Sequence, residues 1–158
     1  MLLNIIEQYY FACIIYLMHF SFFDWLYAIK SLKKISLFWS FTIIYFLSFI
    51  PIELYFSKLK VVYSFNIVIG TILLMVLIFM EFFKQIKNDD ILEFSKNKMF
   101  YINIGLVLFY VGTLPFFGLY KLLIKEIEIW NGYYLYFMVS NCIMYLLFAA
   151  SFIWGKVK

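Results

Sequence analysis

The chain is expected to be an all-α polytopic membrane bundle of five transmembrane helices. Three observations carry that expectation. Five long apolar stretches fill almost all of its 158 residues, 66% of them are hydrophobic and only 14% charged, and short Lys-bearing connections separate the stretches. A water-soluble globule of this size cannot cover so much apolar surface with so few polar residues. Lipid is therefore the expected solvent, and the chain reads as one transmembrane domain over 1–158.

The spans fall at about residues 5–29, 35–56, 61–83, 100–124 and 131–154. Each is about long enough to cross a hydrocarbon core as a helix. A strand is excluded because an open edge finds no hydrogen-bond partner in lipid. The first span follows Met1-Leu2-Leu3 with no basic leader and no small-residue cleavage site after it, so it is expected to be retained. The only long connection runs from Lys84 to Met99 and carries mixed charge.

All thirteen basic residues are Lys. With five spans, nine of them (Lys30, Lys33, Lys34, Lys84, Lys87, Lys96, Lys98, Lys156 and Lys158) share one side and four (Lys58, Lys60, Lys121 and Lys125) share the other. The positive-inside bias then puts the N-terminus outside and the C-terminus in the cytoplasm of an inner or plasma membrane. Trp25, Trp39 and Trp154 fall near inner ends, and Tyr9, Tyr55, Tyr120 and Trp130 near outer ends, as interface aromatics do.

Composition also limits chemistry. The absence of Arg argues against a nucleic-acid partner. One histidine cannot supply two axial ligands to a haem, and no Cys and His cluster has zinc spacing, so no cofactor and no metal is expected. Cys13 and Cys142 both lie in apolar segments, which gives a disulfide framework no support. No nucleophile and base pair, phosphate loop or metalloprotease helix occurs, so the chain is not read as an enzyme.

The residues that invite a functional reading are polar groups at depth. Glu7, Asp24, Glu53 and Glu81 lie near span ends, where headgroup water or a lysine such as Lys30 can meet them. His19 sits close to the middle of the first span and needs a partner, with Tyr45, Tyr110, Thr113 and Asn141 at similar depth. It reads either as packed polar glue or as a protonatable contact. Asn141, mid-way along the fifth span, favours an interhelical hydrogen bond. The fourth span holds Gly105, Gly112, Pro115 and Gly118; the first two share a face for close helix approach, and Pro115 leaves the Val111 carbonyl unpaired, which predicts a kink. Pro51 has the same effect near an outer end.

A resemblance rests on Glu81-Phe-Phe-Lys-Gln85, the mixed-charge loop, Phe100-Tyr-Ile-x-Ile-Gly105, Tyr110-x-Gly112-Thr113 and Asn141-x-Ile-x-Tyr145. In this order the motifs resemble an uncharacterised class of small bacterial multi-pass membrane modules, found alone or preceding sensor-kinase regions. Tyr101 stands where that class is expected to carry Trp, and longer versions are expected to carry a further N-terminal helix pair that finds no counterpart in this reading. The resemblance implies membrane sensing or signalling, with a membrane or cytoplasmic protein partner reached through the inner loops and C-terminus, and it transfers no catalytic residue. Two other functions compete with it: a small permease or lipid-binding protein, and an accessory subunit of a larger membrane complex.

The lysine asymmetry predicts topology. Reporter fusions after Lys34, Lys87 and Lys158 should read as cytoplasmic, and fusions near Lys58 and Glu128 as external. The reverse pattern would show a wrong span count or orientation.

Overall fold

A computed structural model describes residues 14–49, 62–88, 91–118 and 125–155, with backbone only at 62–65 and 115–118. The described residues are helical and include no strand. Sequence features at Glu7, Tyr9, Cys13, Pro51, Glu53, Tyr55, Lys58, Lys60, Tyr120, Lys121, Lys156 and Lys158 lie outside them. The chain divides into two compact units, Met1–Leu77 and Ile78–Lys158.

In the first unit, helix α1 (residues 14–24) continues into a π-helical segment, Trp25–Ser31. The wider winding shows in the hydrogen bonds that end it, from Leu32 N–H to the Tyr27 carbonyl (2.8 Å) and from Lys34 N–H to the Ala28 carbonyl (2.7 Å). Between them Lys33 adopts φ 55°, a left-handed position usually given to glycine at a helix end. Lys33 and the extended Lys34 (φ −118°, ψ 91°) end this helix and lead into α2 (Ile35–Leu47). Helix α2 stops short of the expected Phe56. Ser48 donates its N–H to the Ile44 carbonyl and its hydroxyl to the Tyr45 carbonyl (2.6 Å), which closes the last turn ahead of Pro51.

Helix α3 (Val62–Lys87) passes from the first unit into the second and runs beyond the expected end at Phe83. Its buried residues recur every three or four positions along Asn66, Ile67, Thr71, Leu74, Leu77, Ile78, Glu81 and Gln85, which is one helical face. Within the first unit, Gly70 on this face meets the Phe20 ring of α1, which would stand 2.7 Å from an added Cβ. Phe20 in turn lies 5.2 Å, centroid to centroid, from the Tyr45 ring of α2. The Ser48 hydroxyl also reaches Asn66 Oδ1 at 3.3 Å, so side chains of all three helices meet around Phe20 and Tyr45.

The second unit is dominated by an antiparallel pair. A short 3-10 turn, Phe94–Lys96, leads to Asn97, whose side-chain oxygen accepts the N–H groups of Met99 (3.0 Å) and Phe100 (3.4 Å). This is an N-cap, and it starts α4 (Lys98–Gly118) two residues before the expected Phe100. The α-helical backbone carries on through Pro115 to Gly118. Helix α5 (Ile127–Ile153) starts after Glu126 and is longer than the expected 131–154 at its N-terminal end. Along the pair, Lys98 meets Gly155, Gly105 meets Met144, Leu147 and Phe148, and Gly112 meets Tyr136, while the Tyr101 and Trp154 rings meet at a tilt at one end.

Two helical segments, Asn66–Lys87 (22 residues) and Ile127–Ile153 (27 residues), are long and apolar enough to cross a membrane. Ile35–Leu47 and Lys98–Leu114 are apolar but shorter. Of the five expected spans, the described residues thus supply two of full length.

The glycine contacts differ in tightness, and that yields a prediction. A Cβ at Gly112 would overlap the Tyr136 ring, whereas at Gly105 it would sit 3.4 Å from its nearest neighbours. Gly112→Ala should cost about 1–3 kcal/mol as overpacking, and Gly105→Ala should change stability by less than about 1 kcal/mol because helix propensity offsets the crowding. Thermal unfolding in detergent measures both; equal effects would show that the Tyr136 ring moves aside freely.

Candidate functional site

Burial of polar side chains marks the places where this chain departs from plain apolar packing. Among the described residues of the first unit these are Asp24 at the junction of α1 with the π-helical segment, Ser31 at that segment's end, and Thr42, Asn66 and Thr71. Asp24 is 3% exposed, so it is buried rather than reaching headgroup water. Its expected partner is engaged elsewhere: the Lys30 ammonium lies over the Trp25 ring, 5.3 Å from the centroid. Widened helical turns are frequent at functional positions, which makes this junction a place of interest.

His19 is half-buried among aromatic edges, 5.4 Å from the Phe20 ring and 5.0 Å from the Phe23 ring. It belongs to the first unit, and Thr113 and Asn141 belong to the second. Thr113 is buried, yet its hydroxyl donates to the Phe109 carbonyl of its own helix at 2.7 Å. Ser140 and Ser151 of α5 turn back in the same way, to Phe137 and Phe148. Asn141 is half-buried, and among the described residues its amide forms no hydrogen bond.

The most developed polar group in the second unit is at the C-terminal end of α3. Glu81 and Gln85 are 2% and 1% exposed, four residues apart on the buried face. Gln85 Nε2 donates to Glu81 Oε1 at 3.1 Å, and the Lys84 ammonium stands 3.7 Å from Glu81 Oε2 at the unit's surface. The side-chain oxygen of Gln85, Oε1, is buried without a hydrogen-bond partner. By sequence Glu81 falls near an inner span end, and Gln85 enters only as the last residue of the Glu81-Phe-Phe-Lys-Gln85 motif. The signal is in the sequence: the three-and-four spacing from Ile67 through Thr71, Leu74 and Ile78 carries on to Glu81 and Gln85. Asn103 of α4 was passed over in the same way, although it starts a buried stripe with Leu106, Tyr110 and Thr113.

Chemically, the Glu81 bracket holds a carboxylate in place by one amide and one ammonium. Such an arrangement orders a helix end or receives a cationic group. No family model, no curated protein and no solved structure matches the chain.

Substitution separates the two partners of Glu81. Glu81→Leu leaves the buried Gln85 amide without its acceptor and should cost about 1–3 kcal/mol, while Glu81→Gln keeps an acceptor there and should cost less. Lys84→Met, at a half-exposed pair, should cost no more than about 1 kcal/mol. A Lys84 effect as large as that of Glu81→Leu in thermal unfolding would shift the weight from the amide to the ion pair.

Proposed function

We propose that the protein is a five-span integral membrane module for sensing or interaction, with its N-terminus outside, coupling to a partner protein through its Lys-rich inner loops and C-terminal segment. The observation that carries the membrane reading is the surface of α5. Over its most apolar stretch only 17% is buried, and large side chains such as Leu135, Val139, Leu146 and Phe152 face outward. In water such a surface would be an aggregation hazard, whereas acyl chains solvate it at no cost.

Two features support a packed module over a permease. A permease needs polar groups converging on a wet cavity near mid-membrane. Here the hydroxyls of Thr113, Ser140 and Ser151 are turned back on their own helices, and the Tyr136 hydroxyl donates to the Leu108 carbonyl across the α4–α5 contact. The Tyr136 bond joins the two helices, the other three are spent within one helix, and together they leave little to bind a polar solute among the described residues of this unit. The loops on the inner side, around Lys33 and Lys87, then offer cationic surfaces to a partner.

Alkaline carbonate extraction tests the membrane reading: the chain should stay in the membrane pellet. Photo-crosslinkers at Lys34 and Asn88 should give a single discrete adduct that a crosslinker at Lys125 does not. Release of the chain by carbonate would remove the membrane reading. Solute flux through reconstituted vesicles, with no adduct from either inner loop, would replace the module by a permease.

A further inference from the structure

Asn141 lies 14 residues after Ile127 and 12 before Ile153, the two ends of α5. At the rise of an α-helix it is therefore about 20 Å from either end, beyond the reach of headgroup water for so short a side chain. Its amide has two donors and an oxygen acceptor, and among the described residues none of them is used. Acyl chains offer no substitute, and a half-exposed amide at this depth is unfavourable unless another helix supplies the missing groups.

From this we propose that α5 is the interface of a homodimer, in which Asn141 of one copy hydrogen-bonds Asn141 of the other. The inference rests on the reading of α5 as a membrane span. A second copy is the occupant that fits for two reasons. An amide is its own complement, since it both donates and accepts. A two-fold axis along the membrane normal also brings the two Asn141 side chains to the same depth by symmetry, which another protein would have to match by design.

The surface around Asn141 has the matching pattern. Tyr134, Met138, Tyr145 and Phe152 are all exposed, and with Asn141 they follow a spacing of threes, fours and sevens. That repeat lines one stripe of a helix and suits left-handed side-by-side packing. Leu146 is exposed as well but projects from a different side of α5, well away from the stripe.

The test uses the full chain in native membranes, with Cys13→Ser and Cys142→Ser as background. Single cysteines from Met138→Cys and Tyr145→Cys should form disulfide-linked dimers on copper-phenanthroline oxidation, and Leu146→Cys should not. In detergent dilution followed by energy transfer between labelled chains, Asn141→Leu should weaken association roughly three- to tenfold, and Asn141→Gln should retain most of it. Equal cross-linking at Leu146→Cys, association unaffected by Asn141→Leu, or adducts with a different protein at Met138→Cys would each overturn the pairing. Carbonate extraction of the same samples separates the two levels. A membrane-embedded monomer defeats the dimer alone, and a chain released by carbonate defeats the membrane reading and the dimer with it.

Discussion

An aromatic ring seated on a glycine holds each unit of this protein together. Phe20 of α1 covers Gly70 of α3 in the first unit, and Tyr136 of α5 covers Gly112 of α4 in the second. The physics is the same in both. Removing one side chain lets a large ring lie against helical backbone, so dispersion contacts accumulate over the ring face with no polar group left behind. In the second unit the contact is also polar, because close approach brings the Tyr136 hydroxyl to the Leu108 carbonyl. Further along the pair, the Gly105 and Gly155 contacts follow from the antiparallel course that this junction sets.

Such packing explains why polar residues are tolerated on buried faces. Hydroxyls of Thr113, Ser140 and Ser151 bind carbonyls one turn back, and Gln85 binds Glu81 one turn back. Each bond is local to one helix, so it satisfies a buried group without fixing how that helix meets its neighbour. Shape then does the fixing. Asn141 differs from these, because among the described residues its amide forms no hydrogen bond.

Several sequence expectations changed on contact with the structure, for identifiable reasons. Helix α2 ends at Leu47 because Ser48 closes the last turn, a local side-chain bond that hydropathy does not register. Helix α4 starts at Lys98 because Asn97 caps it, and a capping amide is readable in sequence once the start is suspected. Asp24 and Glu81 are both buried; Glu81 meets a lysine as expected, in Lys84, whereas the lysine expected for Asp24 lies over Trp25. Position along a helix says how deep a residue lies; only its angle around the axis says which neighbour covers it.

The amino-acid sequence alone determined the helical class and the apolar segments, because these depend on composition and on local spacing. It also marked Gly112 and Asn141 as residues to explain. Tertiary structure decided what covers each of them: a tyrosine ring on Gly112, and no hydrogen-bond partner for Asn141 among the described residues. It likewise decided that Lys30 turns to Trp25 instead of Asp24, and that Glu81 is held by Gln85. The reason is physical. Hydrophobicity is a property each residue carries with it, whereas burial and hydrogen bonding belong to pairs of surfaces, and those pairs exist only once the helices have met.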